Sequence, residues 1–143
     1  MDYITWGLIA LIIAVLLFTI LNYFLKRYKK PSSAEQGIWN AVYFIQLKQY
    51  QKALELLDAT EQEYAMTPEV MCDLCVQRAE AHRGLEQYAE ATASYEILYE
   101  ALQECEGNLK RNDTLLSEIK NCYEKCDRIV DFEKWENLFH EAS

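Results

Sequence analysis

A seven-residue phrase is written twice in this chain. Leu47-Lys48-Gln49-Tyr50-Gln51-Lys52-Ala53 recurs as Leu85-Glu86-Gln87-Tyr88-Ala89-Glu90-Ala91, 38 residues later. Each copy follows one apolar helical stretch and opens another. Self-similarity at such a period marks stacked helical pairs, where each unit buries its apolar side against its neighbours rather than in one central core. Arrays of this kind generally hold other proteins and rarely catalyse reactions.

A second constraint lies ahead of the repeats. Residues 4–25 form a run of 22 residues without a charge. As a helix, at about 1.5 Å per residue, the run spans roughly 33 Å, close to the thickness of a hydrocarbon core. Thr5, Thr19 and Asn22 are its neutral polar residues, and Tyr3, Trp6, Tyr23 and Tyr28 stand near its two ends as interfacial aromatics do. A cleaved signal peptide would want positive charge before the apolar run and a small-residue cleavage site after it. Here Asp2 precedes the run and no Ala-x-Ala stands near its end. The run therefore reads as a retained anchor over residues 1–30. So long an uncharged stretch argues against a buried core helix.

Lys26, Arg27, Lys29 and Lys30 follow the run, and no Lys or Arg precedes it. By the positive-inside rule these four residues set the topology, with the N-terminus outside and residues 26–143 cytoplasmic. Beyond them the charge inverts. Residues 31–143 carry 10 Lys or Arg against 22 Asp or Glu. Nucleic acid is thereby excluded as a partner, because affinity for it comes largely from basic contacts to phosphate. The acidic surface reads first as a solvated one.

Residues 31–33 form a short linker, and residues 34–143 form the domain. Ser32 with Glu35, or Ser33 with Gln36, fits a capping box for a helix starting near residue 34. Its inward stripe is read as Trp39, Ala41, Tyr43, Phe44 and Leu47. A turn at Gln49-Tyr50 leads to a helix carrying Ala53, Leu54, Leu56, Leu57 and Tyr64. Thr67-Pro68-Glu69 opens a third helix over about 68–84, with a cap, a first-turn proline and an acid at the positive end. A fourth begins near Tyr88, carries Tyr95, Leu98, Tyr99 and Leu102, and ends at Gly107-Asn108. Asn112 or Asp113 caps a fifth, carrying Leu116, Ile119, Tyr123 and Ile129. Residues 131–135 repeat the earlier turn, and a short sixth helix follows. No stretch alternates apolar and polar residues as a half-buried strand would. The fold class is all-α.

These units resemble tetratricopeptide repeats. The match rests on Ala41, Phe44, Leu47, Tyr50 and Ala53 in the first unit and on Ala79, Leu85, Tyr88 and Ala91 in the second. A third unit departs from the pattern: Phe132 and Trp135 replace Tyr and Ala, and Tyr123 replaces the small residue of the first helix. The turn aromatics are spaced 38 and then 44 residues apart. The resemblance implies an α-solenoid of about three helical hairpins over residues 34–141. Small residues at Ala41 with Ala53, and at Ala79 with Ala91, would let paired helices approach, and Tyr50 and Tyr88 would pack across the turn. It also implies a concave groove, lined by Ile38, Val42 and Ile45, then by Asp73, Val76, Glu80 and Arg83, then by Lys120, Glu124 and Asp127. The groove is apolar at its first helix and charged further on. Ile38, Val42 and Ile45 have a second reading as ordinary intrachain core. Ile38 and Val42 also stand where a carboxylate clamp for chaperone tails needs Lys and Asn, so that activity is not expected.

The five cysteines are expected as free thiols in a reducing compartment. Cys72, Cys75, Cys122 and Cys126 present Cys-x-x-Cys and Cys-x-x-x-Cys, enough thiolates in number for tetrahedral zinc. Both pairs fall inside helices without knuckle turns, so core packing is the reading taken, with no cofactor and no metal. His82 reads as a packed helix residue, and Glu61 with Glu63 as a solvated pair. No nucleophile–base set or phosphate-cradling loop is found, so an enzyme is not expected. The function expected is a membrane-anchored adaptor. It would bind protein partners, or a second copy of itself, through Ile38, Val42, Ile45, Val76, Glu80 and Arg83. The alternative is a structural or assembly subunit of a larger membrane complex.

Overall fold

The computed structural model describes residues 2–27, 31–105 and 112–141, and divides the chain into two compact units, Met1–Lys30 and Pro31–Ser143. The first unit is one helix, α1 (Tyr3–Arg27). Its apolar span, Tyr3–Phe24, has none of its length buried within the chain. This surface is available to lipid, and length and composition suit a single-pass anchor or a signal sequence alike. Thr5 Oγ1 donates to Asp2 O at 2.6 Å and Thr19 Oγ1 to Leu16 O at 2.8 Å, so both hydroxyls are satisfied inside the helix. Lys26 and Arg27 continue its backbone, while Lys29 and Lys30 lie outside the described residues.

The second unit is all-α among the described residues. Its helices are α2 (Ala34–Gln46), α3 (Tyr50–Glu63), α4 (Pro68–Gly84), α5 (Tyr88–Glu104), α6 (Asp113–Lys125) and α7 (Glu133–Glu141), with a 3-10 turn, Ile129–Phe132, before α7. Three start on side-chain caps. Ser33 Oγ accepts from Gln36 N at 3.2 Å, Thr67 Oγ1 from Val70 N at 3.3 Å, and Asn112 Oδ1 from Leu115 N at 3.1 Å. The capping box at α2 is offset by one residue, because Gln36 Oε1 reaches back to Ser32 N at 2.8 Å instead of to Ser33. The start of α6 at Asn112 agrees with expectation. Gly107-Asn108, read as the end of α5, lies outside the described residues.

Three turns share one backbone. Lys48, Glu86 and Asp127 have φ of 58°, 58° and 55°, in the left-handed region. At each, two hydrogen bonds close back on the preceding helix. Gln49 N donates to Phe44 O and Lys48 N to Ile45 O. Gln87 N donates to His82 O and Glu86 N to Arg83 O. Arg128 N donates to Tyr123 O and Asp127 N to Glu124 O. This is the Schellman arrangement, here without glycine at its left-handed position.

The third turn therefore sits at Asp127, 41 residues after Glu86, and not at residues 131–135. Ile129 falls in the 3-10 turn and not on α6. Asp127 lies in the turn and not on a helix face, and counting back from it puts the exposed Lys120, not the buried Tyr123, in register with Ala41 and Ala79. The delay before α7 has a local cause. Arg128 Nε bonds Asp131 Oδ2 at 2.9 Å and Asp131 N bonds Arg128 O at 3.0 Å, which winds residues 129–132 into the tighter helix first.

Two buried clusters hold the domain, and α4 serves both. Ile38, Ala41, Ala53, Leu54 and Leu57 gather with Leu74 and Ala81 of α4. Cys75 and Ala79 of α4 gather with Ala91, Tyr95, Leu98, Ile119, Cys122, Tyr123, Phe132, Trp135 and Phe139. Ala41 with Ala53, and Ala79 with Ala91, are wholly buried within these clusters, as close helix approach requires. Gly37 serves the same end, because a methyl group there would overlap the Thr60 side chain. The Trp135 ring meets Tyr99 edge-on at 5.3 Å. Its Nε1 donates to Tyr123 Oη at 3.2 Å, Tyr123 donates to Glu96, and Lys134 donates to the same carboxylate. A buried indole needs such a partner, and here the chain of partners ties α5, α6 and α7 together.

Candidate functional site

The groove residues do not make an open apolar site. Ile38 is buried among Leu54, Leu57, Leu74 and Ala81, and Ile45 packs against the same cluster. Val42 is half-buried. The chain covers this side itself, from α3 and α4, so the intrachain-core reading holds for Ile38 and Ile45. On α4, Val76 packs against the second cluster. Arg83 Nη1 pairs with Glu80 Oε2 at 2.8 Å and with Glu118 Oε2 at 3.2 Å, which joins α4 to α6. Arg83 and Glu80 are thus engaged in a lateral ion network.

The exposed apolar face of α2 is a different one. Trp39 is 73% exposed, Tyr43 43% and Leu47 46%. They follow one another at four-residue steps, and so line one side of the helix. The inward stripe read from sequence is corrected at these three positions. Ala41 and Phe44 do face the core, but Trp39, Tyr43 and Leu47 face away from it. The rest of α2 has one charged residue, Glu35.

The repeat explains this exposure. Aligned through the turn residues, Tyr43 corresponds to Ala81 on α4 and to Cys122 on α6, and both of these are wholly buried. Leu47 corresponds to Leu85 and Cys126. Leu85 packs against the cluster formed with the first hairpin, and Cys126 Sγ lies 3.5 Å from Thr92 Oγ1 of α5. On α4 and α6, then, these positions are covered by the hairpin before. Among the described residues no hairpin precedes α2 within the domain, and Tyr43 and Leu47 stay partly exposed there. At the first of them Tyr43 stands in place of alanine and cysteine, whereas Leu47 matches Leu85. Comparing Tyr43 with Ala81 in the sequence would have exposed the difference, since close packing by a preceding hairpin demands a small residue.

The opposite end shows the complementary gap. Tyr50, two residues past its turn, lies on Gly84, two residues before the next turn. Tyr88 repeats the step, with Lys125 Nζ 5.6 Å from its ring centre. The third residue in the series is Ile129, 42% exposed, beside Val130, 83% exposed. Tyr50 and Tyr88 thus pack on the next hairpin rather than across their own turn.

Among the described residues no three His, Cys, Asp or Glu side chains gather as a metal site. Cys75 and Cys122 are buried in the second cluster, where burial pushes each thiol up to about 11. Cys126 faces Thr92, and Cys72 faces Cys105 at 3.6 Å between sulfurs. His82 Nδ1 lies 2.8 Å from Gln87 Oε1 and braces the second turn. Glu61 pairs with Arg78, which also meets Asp58 at 3.0 Å and so links α3 to α4. No family model, curated protein or solved structure matches the chain.

Proposed function

We propose that this chain is a single-pass membrane adaptor of tetratricopeptide type, with its helical repeats on the cytoplasmic side. In this reading α1 is the anchor, and Lys26, Arg27, Lys29 and Lys30 hold its C-terminal flank inside. The three hairpins form a short solenoid that binds a protein partner and carries out no catalysis. The single observation behind the binding role is the solvent-exposed apolar line on α2, led by Trp39 and Leu47. Its natural occupant is an amphipathic helix of the partner, lying antiparallel to α2 as α3 lies on α4. The i, i+4, i+8 line of Trp39, Tyr43 and Leu47 fits helix-to-helix packing, and aromatic residues are favoured anchors in such contacts.

A photoreactive amino acid at Tyr43 or Leu47, in the full-length chain in its native membrane, tests this. Cross-linking to one protein from both positions, and none from Glu90 on the exposed side of α5, is the expected result. No product above the Glu90 background would sink the proposal. A product containing only two copies of this chain would replace the adaptor with a self-association surface. A companion captured at one copy per chain would favour the subunit of a membrane complex.

A further inference from the structure

Cys72 and Cys105 meet at the open end of the second hairpin. Cys72 lies in the second turn of α4, and Cys105 stands one residue past the end of α5. Their sulfurs are 3.6 Å apart and both residues are half-buried, so solvent reaches them. The other end of this hairpin is already joined by the turn at Glu86. A disulfide would bring the sulfurs to about 2.05 Å, a movement of roughly 1.6 Å. Cys105 lies outside the helix, where its backbone has the freedom to supply that movement.

We infer that Cys72 and Cys105 are a closable dithiol, a modification site that takes small-molecule disulfides of the glutathione type as oxidant. The thiolate of Cys105 attacks the oxidant, forms a mixed disulfide and releases one small thiolate. The thiolate of Cys72 then attacks Cys105 Sγ, closes the intrachain bond and releases the second. Two protons leave the protein thiols and end on the two small thiolates. The protein pair is oxidised by two electrons and the small disulfide is reduced by two. The order follows from the surroundings. Cys105 stands past the end of α5, outside the helix, while Cys72 is held within α4, and burial pushes the Cys72 thiol up, so Cys105 is taken as the first attacker.

The bond would close a loop whose ends are 33 residues apart and fasten both ends of the hairpin that supplies α4 to the two cores. Chain-entropy reasoning makes such a bond stabilising. This inference stands independently of the partner proposed for α2.

The test uses the full-length reduced protein in mild detergent, treated under native conditions with oxidised glutathione, quenched by alkylation and mapped by peptide mass. The expected product has lost two hydrogens and carries a bond between Cys72 and Cys105. Its thermal midpoint should rise by at least about 5 °C and return on reduction. Cys75→Ser should keep the bond and Cys105→Ser should abolish it. Mapping of the unsubstituted chain decides the matter even if a variant folds poorly. Glutathione retained on Cys105, a bond from Cys72 to Cys75, or no reaction would each overturn the inference.

Discussion

The outer half of the Tyr50 ring rests on Gly84, so closely that a methyl group at position 84 would overlap it. Tyr50 opens α3 and Gly84 closes α4, so this contact fastens one hairpin to the next. Its glycine has no turn to make, since the left-handed residue is Glu86, two positions on. In an ordinary helix, Gly→Ala stabilises by up to about 1 kcal/mol. Here Gly84→Ala should instead destabilise by about 1–2 kcal/mol, because the ring must move. In a Tyr50→Ala background the sign should revert. A double-mutant cycle by urea denaturation measures the coupling, and additive effects would refute the contact.

The three left-handed turn residues carry side chains that disfavour the conformation. Lys48→Gly and Glu86→Gly should each stabilise the domain by about 0.5–1 kcal/mol. Asp127→Gly should gain less, since a short polar side chain tolerates the left-handed region. Thermal melts of the three variants give the order. A loss on Glu86→Gly would mean that its side chain contributes more than its backbone costs.

Ile38 and Trp39 are neighbours in sequence and opposites in burial, at 7% and 73% exposed. Ile38→Ala should cost about 2–4 kcal/mol through transfer and cavity terms. Trp39→Ala should change stability by less than about 0.5 kcal/mol while abolishing partner cross-linking. Equal losses from the two substitutions would show that the outward face of α2 had been assigned wrongly.

Alkaline pH should loosen the second core. Burial pushes Cys75 and Cys122 up to about 11 and carries Tyr95 and Tyr123 above the ordinary phenol value. The folded chain therefore holds these protons more tightly than the unfolded chain. The stability involved is fully present below the ordinary values, about 8.5 for thiols and about 10 for phenols, and is lost as pH rises through the raised ones. Urea midpoints should be level up to about pH 8 and fall by pH 10.5, with each buried thiol contributing on the order of 1–2 kcal/mol. Cys75→Ala should flatten part of that fall. A midpoint unchanged to pH 10.5 would contradict the burial of these groups.

Tyr123→Phe removes the oxygen that accepts from Trp135 Nε1, and that nitrogen is then left buried without its partner. A loss of about 1–3 kcal/mol is expected. Near-ultraviolet circular dichroism of Trp135 provides a local readout beside the global melt. No change in either would remove this network from the account of how α6 and α7 are joined.

Much of this fold was legible residue by residue. The cap at Thr67 and the bounds of α4 follow from local chemistry, which also narrows the other two caps to Ser32 or Ser33 and to Asn112 or Asp113, of which the structure uses Ser33 and Asn112. The third turn was misplaced because Phe132 and Trp135 imitate the aromatic that follows the first two turns. The actual signal was the backbone reversal at Asp127, which carries no glycine to mark it. The buried face of α2 is ambiguous in the sequence for a related reason. Trp39, Tyr43 and Ile38 are all apolar, and apolarity alone does not say which side a neighbour will cover.

The sequence by itself determined an uncharged helix long enough to cross a bilayer, an all-α domain and the repeat of its first two turns, because each depends on composition or on short-range spacing. Only the tertiary structure decided that α4 is shared between two cores, that Tyr50 lies on Gly84, that Cys72 meets Cys105, and that Trp39 and Leu47 of the first hairpin stay exposed. Each of these is a meeting of residues far apart in the chain. Which of several apolar sides is buried depends on which hairpin arrives to bury it, and on α2 the described helices bury the side of Ile38 and not that of Trp39.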